Sequence, residues 1–168
     1  ARRQRQMCIR DRNYMNRKAA RVITIDGLAS SGKTSISKKL SEKLGYYFLD
    51  SGILYRSVAY ICLNESLEED LNLLIYKLEN NLEIISNENK HFSVKYLGKD
   101  ISSYLYNEEI GIHASIVSQK LEIRKFLMNL QHNCVNRPGL VANGRDMGTK
   151  VFPDADFNIA ATGNDGKI

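Results

Sequence analysis

Apolar positions along this chain follow two periods, and the switches between them mark out the elements. Val22-Ile23-Thr24-Ile25 is a short β-branched run that ends at Asp26-Gly27 and reads as a buried parallel strand. After a glycine-rich turn, Ile36, Leu40 and Leu44 recur at every fourth position, with Lys38, Lys39 and Glu42 outside. That spacing predicts a helix with its apolar stripe inward, and Gly45 stands where a helix stop belongs. Tyr46 to Leu49 reads as a second strand, Ile53 to Leu63 as a second helix, and Leu67 to Leu78 as a third. From Leu82 to Leu97 the period falls to two (Leu82, Ile84; Phe92, Val94, Tyr96) across the polar Asn87-Glu88-Asn89-Lys90 turn, which predicts an antiparallel hairpin in a small insert. Helices resume from about Glu108 to Cys134, and Pro138-Gly139 breaks them. Leu140-Val141-Ala142 and Asp156 to Ala160 then supply two more strands. Strands alternating with helices imply an α/β fold with a parallel sheet and right-handed crossovers.

The 168 residues suit one domain, and no apolar run approaches the length of a membrane helix. The net charge of +5 changes the picture only after it is located. Residues 1–21 hold eight Lys/Arg against Asp11 alone, a local +7 that leaves −2 for residues 22–168. The body is therefore slightly acidic, and the basic character belongs to a leader. Residues 1–14 read as a disordered or non-native leader, a cloning or assembly scar ahead of a start at Met15, and are kept out of the functional reading. Neither a nucleic-acid partner nor a membrane is expected. Cys8, Cys62 and Cys134 have no C-x-x-C spacing, and His91, His113 and His132 have no ligand spacing. The cysteines read as reduced thiols of a cytoplasmic protein, with Cys62 and Cys134 in apolar helical contexts.

Gly27-Leu28-Ala29-Ser30-Ser31-Gly32-Lys33-Thr34 fits the phosphate-loop pattern G-x-x-x-x-G-K-[ST] in full, between a strand and a helix. Glycines let the backbone curl so that successive N–H groups face phosphate oxygens. The helix behind the loop, beginning with Lys33, Thr34 and Ser35, adds free N–H groups and a partial positive charge at the same point. Lys33 supplies a full charge for the β and γ phosphates of ATP, and the Thr34 hydroxyl is placed to ligate Mg²⁺. This defines a nucleoside-triphosphate site without naming an acceptor.

Three further segments bear on the acceptor. Leu49-Asp50-Ser51-Gly52-Ile53-Leu54-Tyr55-Arg56 follows the second strand, and Ser115 and Arg124 lie on the helical stretch. Asn143-Gly144-Arg145-Asp146-Met147-Gly148-Thr149 follows a later strand and runs on to Val151-Phe152-Pro153-Asp154-Ala155-Asp156. Loops at the carboxyl ends of parallel strands are where such folds bind ligands. In order and spacing, the phosphate loop and these segments resemble the bacterial cytidylate kinase family from about Arg21 to Ile159.

The resemblance implies a P-loop kinase fold, a parallel sheet flanked by helices, with a monophosphate-binding insert near residues 65–110 inside one domain spanning 15–168. It implies phosphoryl transfer from ATP, with Mg²⁺, to CMP or dCMP; the protein is expected to be a monomer. It assigns Ser115, Arg124 and Asp146 to the cytosine, and Arg56 and Arg145, with Ser51 beside them, to the acceptor phosphate. Lys33, Arg56 and Arg145 would be the catalytic residues. The base chemistry agrees: the cytosine N4 donor suits a carboxylate, and its N3 and O2 acceptors suit Arg124 and Ser115.

The chain departs from the family pattern at Asn143, where the family usually carries Asp, and at Asn107, where it commonly has Arg. An amide brings no negative charge, so metal affinity is expected to fall. Ala161 to Ile168 also leaves the pattern, and the family's arginine-rich lid and closing helices are expected to be missing. Other readings are a P-loop kinase for a different small acceptor, a catalytically weak NTP-binding fragment, or an RNA-binding leader. No N-K-x-D guanine signature supports a GTPase.

Overall fold

The computed structural model of this chain describes residues 19–28 and 31–161. The leader at 1–14, Met15, Cys8, two loop positions (Ala29 and Ser30) and the departing tail at 162–168 lie outside the described residues. The fold is α/β, and its elements divide into two compact units. The first comprises residues up to Leu49 and from Asn133 onward, and the second runs from Asp50 to His132.

The first unit is built on strands β1 (Arg21–Gly27), β2 (Tyr47–Asp50), β6 (Gly139–Gly144) and β7 (Phe157–Ala161), in the order β2-β6-β1-β7. β1 pairs in parallel with β6, from Arg21 opposite Gly139 to Asp26 opposite Gly144. On its other side it pairs in parallel with β7, from Ile23 opposite Phe157 to Gly27 opposite Ala161. Ile23, Ile25 and Val141 form a buried cluster, with Leu40, Tyr46 and Ala161 packed around it. The continuous apolar runs of β1 and β6 are what a strand flanked on both sides requires. Gly139 is spatially necessary, because a Cβ there would fall 2.5 Å from a Tyr46 ring carbon.

Helix α1 (Lys33–Leu44) ends at Gly45 as its sequence predicts. Gly45 is left-handed at φ 66°, its N–H donates to Glu42 O, and the Tyr46 N–H reaches back to Ser41 O. This pair of bonds satisfies the last carbonyls of the helix. The buried stripe differs from the expected one. Ser37 and Ser41 are fully buried and Leu40 half-buried, whereas Ile36 is 58% exposed and Leu44 42% exposed. The inward face therefore lies about one residue off the Ile36–Leu40–Leu44 line. Burial of the serines is inexpensive because their hydroxyls donate within the helix, Ser37 to Lys33 O at 2.6 Å and Ser41 to Lys38 O at 2.7 Å. Their small size suits a helix lying close to β6.

The second unit gathers around α2 (Ser51–Asn64), whose Ile53, Leu54, Val58, Ala59, Ile61 and Cys62 are all buried. A helix apolar on so many sides belongs in a core. It packs against α4 (Glu108–Val117) and against β4 (Phe92–Tyr96). The hairpin forms as the two-residue period predicts, with β3 (Leu82–Ser86) antiparallel to β4 and Leu82 opposite Tyr96. A short third strand, β5 (Lys99–Asp100), and a 3₁₀ turn at Ser102–Tyr104 extend it.

Helix α3 starts at Leu71 rather than Leu67. Asp70 caps it by accepting the Leu73 N–H at 2.9 Å, and Leu67 to Asp70 instead closes a turn. The stretch from Glu108 to Cys134 is two helices, α4 and α5 (Leu121–Asn133), separated by a turn at Ser118–Lys120. No described helix is long and apolar enough to cross a membrane.

Candidate active site

The phosphate loop leaves the carboxyl end of β1. At Gly27 a Cβ would lie 2.8 Å from Ala161 O and 3.0 Å from Ser31 Oγ, so the first glycine is required by the approach of β7. Gly32 is left-handed at φ 73° and forms the N-cap of α1 without a side-chain hydrogen bond. The first turn of α1 carries no acidic residue, so its free amides keep their positive end for an anion. Lys33 Nζ donates to Leu28 O at 2.9 Å, which holds the ammonium along the mouth of the loop. Ser35 lies exposed on the same turn, and the Ser31 hydroxyl is buried without a partner.

Beside the loop, β6 ends at Asn143-Gly144. Asn143 is fully buried; its Nδ2 donates to Thr34 Oγ1 at 3.1 Å, and its Oδ1 is buried without a partner. A buried acceptor left unmade costs about 1–3 kcal/mol unless a ligand or water completes it. An unsatisfied oxygen next to the loop hydroxyl is an oxygen-rich setting of the kind Mg²⁺ prefers, and Thr34 and Asn143 are the residues that would hold such an ion.

Arg145 and Asp146 follow, both exposed, at the start of a π-helical turn, Met147–Val151. Asp146 is left-handed at φ 56°, and its carboxylate lies 3.8 Å from Lys150 Nζ. The turn is not capped by the Asp146 side chain. Asp26, at the end of β1, does that instead: its Oδ1 accepts the Met147 N–H at 2.7 Å and its Oδ2 the Gly148 N–H at 2.9 Å. The periodicity of the chain gives no sign of this pairing. The one local hint is an acid closing an otherwise apolar strand.

The remaining candidates belong to the second unit. Ser51 is buried at the first residue of α2, and Asp50 caps that helix by accepting the Gly52 N–H at 3.0 Å. Arg56, one turn further on, donates from Nη1 to Leu105 O at 2.9 Å and to Asn107 O at 3.4 Å. Its guanidinium lies 6.0 Å from the centre of the Tyr106 ring, within cation–π range. Gly111 on α4 faces this group so closely that a Cβ would come 3.3 Å from one guanidinium nitrogen. Ser115 is exposed one turn beyond, its hydroxyl donating to Gly111 O at 3.3 Å. Arg56, Gly111 and Ser115 therefore form a connected group, which spacing alone did not indicate for Gly111 or Tyr106. Arg124 is half-buried on α5. Asn107 has a local task, since its Oδ1 accepts the Ile110 N–H at 2.8 Å and caps α4.

This arrangement of a phosphate loop, a buried amide beside its hydroxyl and a clamped Arg-Asp turn can be set against known proteins. The family model described as cytidylate kinase matches residues 23–164. The chain belongs to the cytidylate kinase family. It is 43% identical over 152 residues to a cytidylate kinase of Pseudomonas fluorescens, covering 88% of this chain and 66% of that protein. It is 38% identical over 141 residues to one of Aeromonas salmonicida, covering 83% of this chain and 61% of that protein. A third, from Bdellovibrio bacteriovorus, is 37% identical over 145 residues. The chain thus spans about three fifths to two thirds of the length of these cytidylate kinases.

Proposed function

We propose that this member of the cytidylate kinase family transfers the γ-phosphoryl group of ATP to CMP or dCMP. The observation that carries the reading is the phosphate loop at the end of β1, with Lys33 lying across its mouth and uncapped helix amides behind it. Phosphoryl transfer proceeds through a loose in-line transition state, so the protein's work is to position two anions and to offset their charge. Backbone amides from Gly27 to Thr34 and the Lys33 ammonium hold the triphosphate. Thr34, with Asn143 beside it, would hold Mg²⁺, which would supply positive charge to offset that of the triphosphate.

Arg56 and Arg145 draw the acceptor phosphate into line, with Ser51 at its edge. No general base is needed, because a phosphate monoester is largely dianionic near neutral pH. Asp146 accepts from the cytosine N4 group, while Arg124 and Ser115 donate to N3 and O2. Uracil reverses the pattern at positions 3 and 4, setting its N3–H against Arg124 and its O4 against Asp146. Cys62 and Cys134, both buried and neither in a disulfide, support a reducing compartment such as the cytoplasm, and we read the protein as a monomer acting on small molecules.

The test is ATP consumption with CMP, dCMP, UMP and shikimate as acceptors in the presence of Mg²⁺. Formation of the diphosphate selectively from the cytosine nucleotides is expected, and its absence refutes the proposal. Lys33→Ala is expected to abolish transfer while leaving CMP binding measurable. Asp146→Ala is expected to weaken CMP binding more than ATP binding, and an equal loss of both would point to misfolding.

A further inference from the structure

Asp26 makes none of the proposed nucleotide contacts, yet it accepts two hydrogen bonds from residues 121 and 122 positions away. The amides of Met147 and Gly148 are the first of the π-helical turn, where a helical segment has no partners of its own. A nearby Ser, Thr, Asp or Asn usually takes such amides. Here both oxygens of one carboxylate from another strand take them, at 2.7 and 2.9 Å.

The turn is held from below as well. Met147 is 1% exposed, so its side chain anchors the backbone in the core. Thr24 Oγ1 donates to Asn158 Oδ1 at 2.6 Å, and this pair forms a floor against Gly148. A Cβ at Gly148 would lie 2.6 Å from Asn158 Oδ1 and 2.9 Å from Thr24 Oγ1, so only glycine lets the turn settle that far. The residue immediately before the turn is Asp146, at a φ of 56° that non-glycine residues seldom adopt. Such a conformation persists where surrounding contacts over-determine it. Within the turn, the Lys150 N–H donates to Asp146 O at 2.9 Å and the Val151 N–H to the same oxygen at 3.2 Å.

We infer that Asp26 is a positioning residue for the acceptor nucleotide: it clamps the turn at Met147–Gly148 and thereby fixes the left-handed backbone that presents Arg145 and Asp146. This rests on the reading of those two residues as the acceptor contacts. Each Asp26 oxygen already faces a backbone donor, which suits a clamp. Asparagine at position 26 would keep one acceptor and turn an N–H₂ group toward the other amide, setting donor against donor. The turn would have to move.

The experiment compares the full chain with Asp26→Asn and Gly148→Ala. Dissociation constants for CMP and for ATP are measured separately by calorimetry, amide exchange at Met147 and Gly148 by NMR, and folding by circular dichroism melts. In Asp26→Asn, CMP binding is expected to weaken about tenfold or more and exchange at the two amides to accelerate, with ATP binding changed by less than about twofold. Gly148→Ala, which pushes the turn from the opposite side, is expected to show the same split. It stands as the independent arm should Asp26→Asn fold poorly. Unchanged amide protection, or equal weakening of both ligands together with a lower melt, overturns the inference. A wild-type chain that binds ATP but no CMP refutes the proposed acceptor instead, while the amide exchange still decides whether the clamp exists.

Discussion

Replacing Asn143 by aspartate exchanges a neutral, fully buried amide for a carboxylate of nearly equal volume. In the wild type, one side of the amide donates to Thr34 Oγ1 at 3.1 Å, and Oδ1 has no partner. The variant carboxylate can accept the Thr34 hydroxyl proton through one oxygen, which leaves the other buried, charged and unpaired. A missing hydrogen bond at a charged group is worth about 1.5–3 kcal/mol, so without metal the variant is expected to lose about 2–3 kcal/mol. For a chain of this size that is a fall of about 5–10 °C in melting temperature.

A divalent cation next to Thr34 reverses the balance, because the new charge then has a partner. The magnesium concentration that half-restores the melting temperature, in the presence of ATP, is expected to fall about tenfold relative to wild type, equivalent to about 1.4 kcal/mol. The destabilisation without metal tests only the burial. The magnesium shift tests the site. Asn143→Leu supplies the contrast, since removing both the bond and the orphan oxygen is expected to be nearly neutral for stability while reducing the magnesium response. The assay is a series of circular dichroism melts in chelator and in graded magnesium. If the aspartate variant melts like wild type in chelator and its magnesium midpoint is unchanged, Asn143 does not face the metal and the argument fails.

Gly111→Ala places a Cβ 3.3 and 3.4 Å from two guanidinium nitrogens of Arg56. It is expected to weaken CMP binding about five- to tenfold with less than about 1 kcal/mol change in stability, as calorimetry and melts would read. Undiminished CMP affinity would detach Arg56 from the acceptor. The Lys77 ammonium and the Tyr96 hydroxyl both donate to Glu65, and these bonds hold its carboxyl below the usual range. A depressed folded-state value gives stability that is complete above the ordinary carboxylate range and lost as pH falls through it toward the lower folded value. The gap in melting temperature between wild type and Glu65→Gln is therefore expected to be open near neutral pH and to close as pH falls below the ordinary carboxylate range. At the alkaline end, burial and then the bond to Glu65 raise the Tyr96 phenol. That contribution is present below the ordinary phenol range and disappears as pH rises through the raised value. A gap independent of pH would count against the triad.

What could be read from the chain alone was whatever depends on near neighbours. The phosphate loop, the helix stop at Gly45 and the hairpin from Leu82 to Tyr96 are legible because turn chemistry and side-chain period act over a few residues. The helix α1 stripe was misplaced for the opposite reason. Apolar spacing selected Ile36, Leu40 and Leu44, but the closeness of β6 buries Ser37 and Ser41, and serines that satisfy their own hydroxyls leave no apolar signal. The clamp of Asp26 on Met147 and Gly148, the orphan oxygen of Asn143 beside Thr34, and the seat of Arg56 between Leu105 O and Gly111 all join residues from 49 to 122 positions apart or leave an atom without a partner. Such pairings follow from which strands and helices become neighbours and in what register, quantities set by the packed sheet and core and carried by no local pattern.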